Sequence, residues 1–302
     1  MDLQNFIRKF QIPEVAYPFI NKIFTKEEIE FVDKMDKHAF TKKDIEKIIY
    51  ENSEAFIKNS YKRGVISLVD EETSTYKIAN FYSRLDIFSI SEQEVYRSIP
   101  KEEQLAMDAW YFKAYYDGLD LDFSVRPTED EILPLNKVLE FIDTQDRPVY
   151  LNYCDCRSLR GECGKPTKTC ITYRNGINTF AHRGLSEEIN KERAKEIVKN
   201  ADKKGLMHTV NSNGICNCCG DCCYLFRSQE KRNSSGFWPK TNQIIELDSD
   251  KCIKCGACIK RCHFDVFTKV DGVIKTDISK CVGCGICSNS CPTKALKLQE
   301  RK

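Results

Sequence analysis

The sequence predicts an α+β protein of several domains: a mostly helical N-terminal region, a central cysteine-rich helical module, and a C-terminal domain built on a repeated cysteine pattern. Three observations carry this reading. All 17 cysteines of the 302 residues lie between Cys154 and Cys291, so the first half has none. One cysteine pattern recurs with a period of 29 residues near the C-terminus. Charge divides the chain in similar places: residues 1–85 carry 14 basic and 14 acidic side chains, residues 86–150 carry 6 and 15, and residues 151–302 carry 27 and 16.

The bulk composition is that of an ordinary water-soluble chain, with 41% hydrophobic and 30% charged residues. A formal net charge of +2 does not indicate a globally basic nucleic-acid binder. The N-terminus carries Asp2, Arg8 and Lys9 and no apolar signal core, and no apolar run is long enough to span a bilayer. The expected location is therefore the cytoplasm. In that reducing compartment 17 thiols read as metal ligands rather than as a disulfide framework.

Residues 1–85 read as short helices followed by a hairpin. Thr25–Met35 has Thr at an N-cap position and Ile29, Phe31, Val32 and Met35 at mostly helical spacing. Thr41 opens a second helix with Ile45, Ile48 and Ile49 on one face. Ser53 opens a third, Glu54 to Arg63, which Gly64 stops. Val65–Val69 and Tyr76–Phe81 are strand-like around the polar turn Asp70–Ser74. Three helices and a hairpin resemble a winged helix-turn-helix. In a DNA-binding role the third helix would offer Lys58, Lys62 and Arg63. It also carries Glu54, the region is neutral, and the hairpin tip Asp70-Glu71-Glu72 would repel phosphate, so a docking or structural module is the expectation.

Residues 86–148 form a helical, aromatic-rich segment that includes Ala109–Tyr116 and is broken at Arg126-Pro127 and Arg147-Pro148. Leu133–Phe141 reads as an amphipathic helix, and Val149–Tyr153 as a strand that delivers the first cysteines.

The strongest signal is the internal repeat. Cys252-x2-Cys255-x2-Cys258-x3-Cys262 recurs as Cys281-x2-Cys284-x2-Cys287-x3-Cys291-Pro292. Three thiols spaced by two can wrap one side of a compact metal core, and Gly256 and Gly285 relax the backbone between them. This run resembles the bacterial two-cluster ferredoxins over residues 244–299, within a domain spanning 241–302. The resemblance implies one [4Fe–4S] cluster on Cys252, Cys255, Cys258 and Cys291. It implies a second on Cys281, Cys284, Cys287 and Cys262, because the fourth cysteine of each run is carried to the other cluster. Val270-Asp271-Gly272-Val273 reads as a hairpin turn between the halves, and Ile244–Leu247 and Ala295–Leu298 as a pair at the outer edge. His263 stands where the family pattern has Pro; it reads as tolerated, though a hydrogen bond from it could tune a cluster.

Nine further cysteines occupy a module spanning 149–240. They are Cys154, Cys156, Cys163 and Cys170, then Cys216, Cys218, Cys219, Cys222 and Cys223. A helix over Lys191–Lys204, with Asn190 as N-cap and Gly205 after its end, would bring the two groups together. Neighbours such as Cys218 and Cys219 cannot easily point at one metal atom, so they serve two centres or leave one thiol free. The set fits one or two further Fe–S clusters; structural zinc is the alternative. Cys154-Asp155-Cys156-Arg157, Cys163-Gly164-Lys165-Pro166-Thr167-Lys168-Thr169-Cys170, Gly205-Leu206-Met207-His208 and Ile215-Cys216-Asn217-Cys218-Cys219 resemble segments of multi-domain [4Fe–4S] proteins, largely from anaerobes. That resemblance covers residues 130–302 and implies redox work without a substrate. His208 and His182 read as structural histidines with a ligand role as the alternative. Arg157 could stabilise cluster charge, or merely form a surface salt bridge.

No GxGxxG, Walker A, GxSxG or HExxH occurs, and Gly161–Lys165 lacks the P-loop spacing. No catalytic residue is legible. The expected function is iron–sulfur electron transfer, relaying low-potential electrons to or from a redox protein partner; nucleic acid is not the expected partner. The alternatives are a redox-responsive DNA-binding regulator and an Fe–S reductase with its substrate at the nine-cysteine module.

Overall fold

The computed structural model describes residues 2–120 and 122–301. Helices and sheets are mixed, and the chain divides into two compact units. One comprises Met1–Ala114, Ser158–Arg160 and Asn175–Glu187; the other comprises Tyr115–Arg157, Gly161–Arg174 and Glu188–Lys302. Every cysteine belongs to the second unit.

The first unit runs through α1 (Leu3–Phe10), a 3-10 turn (Glu14–Phe19), α2 (Ile20–Ile23), α3 (Lys26–Lys34), β1 (Phe40–Thr41), α4 (Lys42–Glu46), α5 (Ser53–Lys62), β2 (Ile66–Asp70), β3 (Thr75–Ile78), α6 (Phe81–Ser91), α7 (Gln93–Arg97) and α8 (Lys101–Asp117). Thr25 caps α3 through a reciprocal pair with Glu28, as the sequence signals. Two expected elements end early. Helix α4 stops at Glu46, leaving Ile48 in the following turn. Strand β3 stops at Ile78 because Asn80 accepts a hydrogen bond from the Ser83 N–H at 3.0 Å and starts α6, so Phe81 opens a helix. The three strands are ordered β1-β3-β2, with both pairings antiparallel. Phe6, Phe10 and Phe24, and then Phe31, Phe40 and Phe56, meet mostly edge to face in the core.

The outer strand β2 does not stay open. The side-chain amide of Asn178 donates to the Leu68 carbonyl and accepts from the Leu68 N–H, both at 2.8 Å. Arg183 donates to the carbonyls of Tyr61 and Ile66 and lies 4.4 Å over the Tyr61 ring. Segment Asn175–Glu187 thus covers the end of α5 and the edge of the hairpin.

The second unit contains β4 (Glu131–Leu133), α9 (Leu135–Asp143), β5 (Val149–Tyr153), the start of α10 (Asp155–Arg160), β6 (Lys168–Thr172), most of β7 (Glu187–Ile189), α11 (Lys191–Lys203), β8 (Met207–Asn211), β9 (Gly214–Cys218), α12 (Tyr224–Arg232) and β10 (Lys240–Thr241). Its strands form one seven-stranded sheet, ordered β10-β4-β8-β9-β6-β5-β7. The cysteine-rich region is therefore organised by a sheet and not by helices as expected. Short strands whose alternate residues are cysteines hide the period-two signal, since Cys can serve either face. Helix α11 begins at the predicted cap, Asn190, and ends before Gly205.

The sheet has two distinct faces. Ile171 pairs with Leu151 and Ile215, and Ile215 with Val210; this face packs on Val138 and Ile142 of α9 and on Ala194 and Val198 of α11. One residue away on the same strands, Cys170, Cys216 and Cys218 point to the other face.

The C-terminal part comprises β11 (Gln243–Leu247), α13 (Ala257–Arg261), β12 (Phe267–Val270), β13 (Val273–Thr276), a 3-10 turn (Ile278–Lys280), α14 (Ile286–Asn289) and β14 (Leu296–Glu300). β11 pairs antiparallel with β14, and β12 with β13 around Asp271-Gly272, both at positive φ. No helix among the described residues is long and apolar enough to cross a membrane.

Gly214 begins β9 where a side chain has no room. A Cβ there would overlap the Ile171 carbonyl of β6, whereas one on Gly176 would meet nothing within 4 Å. Gly214→Ala is expected to cost about 1–3 kcal/mol, because the strand must shift to admit the methyl group. Gly176→Ala should leave stability unchanged. Denaturant midpoints of the two variants against the parent check this.

Candidate metal centres

The C-terminal repeat builds two separate cavities. Cys252, Cys255, Cys258 and Cys291 line one, along with Leu247, Ile274 and Leu296. Cys262, Cys281, Cys284 and Cys287 line the other, with Ile245, Phe264 and Val266. The thiols of one run alone do not close either cavity; the fourth comes from the other run. Gly256 and Gly285, at φ +76° and +78°, turn the chain into the short helices α13 and α14 that carry Cys258 and Cys287.

Backbone N–H groups point at the sulfurs. Phe264 donates to Cys262 at 3.5 Å and Gly283 to Cys281 at 3.4 Å. Such donors offset charge that a thiolate ligand would bring into an apolar site. Burial raises the Cys258, Cys262, Cys284 and Cys287 thiols, Cys284 to about 12. Four convergent thiols, an apolar cavity and N–H donors together fit a [4Fe–4S] core in each site.

The nine central cysteines fall into two groups. Six are electrostatic neighbours in a closed ring, running Cys154, Cys156, Cys223, Cys218, Cys216, Cys170 and back to Cys154. Cys163, Cys219 and Cys222 form a triangle whose sulfurs all lie within 4.8 Å of one another. The division follows from local geometry. Cys216 and Cys218 are two apart on β9 and share a face with Cys170 of β6. Cys219 follows Cys218 and points the opposite way. Cys222 and Cys223 split likewise, because Cys223 caps α12.

Polar groups surround the ring. Hydrogen bonds from Cys170 and Cys218 pull the Cys216 thiol down to about 6. Burial, then the charge of Cys154, raises Asp155 to about 6. Tyr115 is held protonated by burial and by the nearby charges of Cys223, Asp130, Cys156 and Cys216.

Arg157 is 1% exposed and is no surface salt bridge. Its guanidinium donates to the Pro166 carbonyl at 3.0 Å, the Asn217 carbonyl at 2.5 Å and the Thr169 hydroxyl at 2.5 Å. Despite its burial, the charges of Cys154, Cys170, Cys218 and Cys219 raise its pKa, so one cation serves both thiol groups.

His208 joins neither group. Its Nδ1 bonds the Asn217 side chain at 2.6 Å and its Nε2 lies 3.8 Å from the Asp202 carboxylate. His182 belongs to the first unit, where it meets Tyr61 at 2.7 Å and Glu71 at 3.0 Å. His263 is not merely tolerated: its Nε2 bonds the Gly205 carbonyl at 2.8 Å, and a Cβ on Gly220 would come within 2.5 Å of its own Cβ. Arg261 donates to the carbonyls of Asp202 and Lys203, and Asn289 to the Asp202 carboxylate at 2.8 Å. The end of α11 is therefore held by the cysteine repeat. Cys284 also packs on the core that contains Cys218 and Cys223, and Phe226 meets Phe264 at 5.3 Å. Tyr115, Asp202, Asn217 and Asn289 carry no sequence signal, because each acts across a long stretch of chain.

Arg157→Met would leave three acceptors, two of them buried, without their donor and remove the cation near both thiol groups. A loss of about 3–5 kcal/mol is expected. Arg157→Lys should recover only part of it, because one ammonium cannot span three acceptors as the planar fork does. Chemical denaturation of both variants measures the difference.

Residues 251–296 match the family model described as a 4Fe-4S dicluster domain. No curated protein and no solved structure matches the chain. The C-terminal segment is thus a 4Fe-4S domain, and iron–sulfur clusters are cofactors of this protein.

Proposed function

We propose that the protein is an iron–sulfur electron carrier. In this reading one [4Fe–4S] cluster sits on Cys252, Cys255, Cys258 and Cys291, a second on Cys281, Cys284, Cys287 and Cys262, and a further polynuclear centre on the six-thiol ring. When bound, such clusters supply one-electron transfer at low potential. The observation that carries the reading is the pair of crossed quartets, each enclosing its own cavity, with Cys284 packed on the core that holds Cys218 and Cys223. Six thiolates exceed the four that one tetrahedral ion accepts, which favours a polynuclear centre in the ring. The residues would hold the clusters, direct N–H groups at sulfur and exclude water; Arg157 would balance the charge of the central module. The electrons come from and go to a redox protein partner. The segments around Cys154, Cys163, His208 and Cys216 support the layout of the multi-domain [4Fe–4S] proteins that the sequence resembles.

The N-terminal module is proposed to dock a partner protein rather than DNA. Its order α3-β1-α4-α5-β2-β3, with β3 central, supports a winged-helix form. Two of its cations are engaged internally: Arg63 bonds Glu28 at 2.7 Å and pairs with Glu92, and Lys42 pairs with Glu54. Segment Asn175–Glu187 occupies the end of α5, and the exposed hairpin tip is acidic.

Anaerobically purified protein is expected to hold more than about eight irons per chain, with matching sulfide. Reduction should produce the magnetic-resonance signal of interacting paramagnetic clusters. Cys262→Ser should perturb the same cluster as Cys281→Ser and leave the signal lost in Cys252→Ser intact. Fewer than about eight irons, or pairing of Cys262 with Cys252, would sink the assignment. Retention of specific DNA fragments in either redox state would replace the docking reading by regulation.

A further inference from the structure

We propose that Cys163, Cys219 and Cys222 form a mononuclear zinc site whose fourth ligand is a solvent molecule. This goes beyond the electron-carrier reading and does not depend on it.

The argument begins with spacing. The three sulfurs lie within 4.8 Å of one another. A tetrahedral ion with metal–sulfur bonds of about 2.3 Å places its thiolates roughly 3.8 Å apart. Thiolates at the corners of a cubane stand farther apart, because four irons lie between them. The same chain shows that wider arrangement: among the described residues, no three sulfurs of either ferredoxin-type quartet come within 4.8 Å of one another. The triangle is compact by that measure.

Number and local chemistry agree with spacing. Cys219-Gly220-Asp221-Cys222 is a turn in which the Cys222 N–H donates to the Cys219 sulfur at 3.3 Å. Such a donor orients a thiolate ligand and offsets its charge. Gly220 has no room for a side chain, because His263 packs on it, so this turn is held in place from behind. Cys219 and Cys222 are fully buried beside Ala201 and Leu206. Among the described residues the group closes at three: no further Cys, His, Asp or Glu joins it within that distance.

Three thiolates around one ion leave one tetrahedral position. Cys163 lies in the loop Gly161–Pro166, which is mostly exposed, so that position faces water. Soft sulfur donors favour zinc over magnesium, calcium or manganese. Three protein ligands and a solvent molecule are the pattern of a zinc ion that can exchange its fourth ligand.

The test uses the full chain, produced with both iron and zinc supplied. About one zinc per chain is expected, measured beside iron and sulfide. Cys219→Ser and Cys163→Ser should each lose that zinc and keep the iron and sulfide of the parent. Zinc-edge X-ray absorption of the unmutated protein should give about three sulfurs near 2.3 Å and one lighter atom near 2.0 Å, a readout that does not depend on a variant folding. Loss of iron and sulfide together from either variant, no zinc in the parent, or a four-sulfur shell would overturn the proposal. An iron deficit confined to Cys252→Ser and Cys262→Ser bears on the ferredoxin-type clusters alone, so the two readings fail separately.

Discussion

A β-strand sends successive side chains to opposite sides, and the arrangement of this protein's central thiols depends on that constraint. Along β9, Ile215 and Asn217 face α11 while Cys216 and Cys218 face the other way. The next residue, Cys219, reverses direction again and enters the second group. One short strand therefore contributes to the apolar core, to the six-thiol ring and to the start of the triangle. A slip of one residue would exchange ring thiols for core side chains, so register is held firmly. Gly214 serves that register by letting β9 approach β6 more closely than any side chain allows.

Burial of so much potential negative charge requires a counterpart. Arg157 supplies part of it from a position between the two groups, with three protein acceptors holding its plane. Asn217 is shared between this cation and His208, since its carbonyl accepts from Arg157 and its side chain bonds the imidazole. His208 leads to Asp202, and Asp202 to Asn289, Arg261 and the C-terminal repeat. Polar groups therefore run from the thiol ring toward the cysteine repeat, with 3.8 Å between His208 and Asp202.

The first unit solves a different problem. Arg63 is paired with Glu28 inside it, and the edge of its small sheet is covered by Asn178. What it leaves outside is an acidic hairpin tip and a mixed polar surface.

Much of this was legible in the sequence where the determinant is local. Cysteine spacing in the C-terminal repeat, glycines at positive φ, the Thr25 and Asn190 caps and the Asp271-Gly272 turn are each decided within a few residues, and the structure follows them. Local signals also misled where they were incomplete: β3 was too long because the Asn80 cap competes for its end, and the central sheet was hidden because cysteine alternates on its strands. The grouping of nine thiols into six and three is not local. Strands β5, β6 and β9 must first align Cys154, Cys170 and Cys216, and α12 must place Cys223 against Cys156. Residue types and spacing determined that this chain binds iron–sulfur clusters. Only the tertiary structure decided which thiols meet, because sulfurs far apart in sequence become neighbours through strand pairing and the packing behind it.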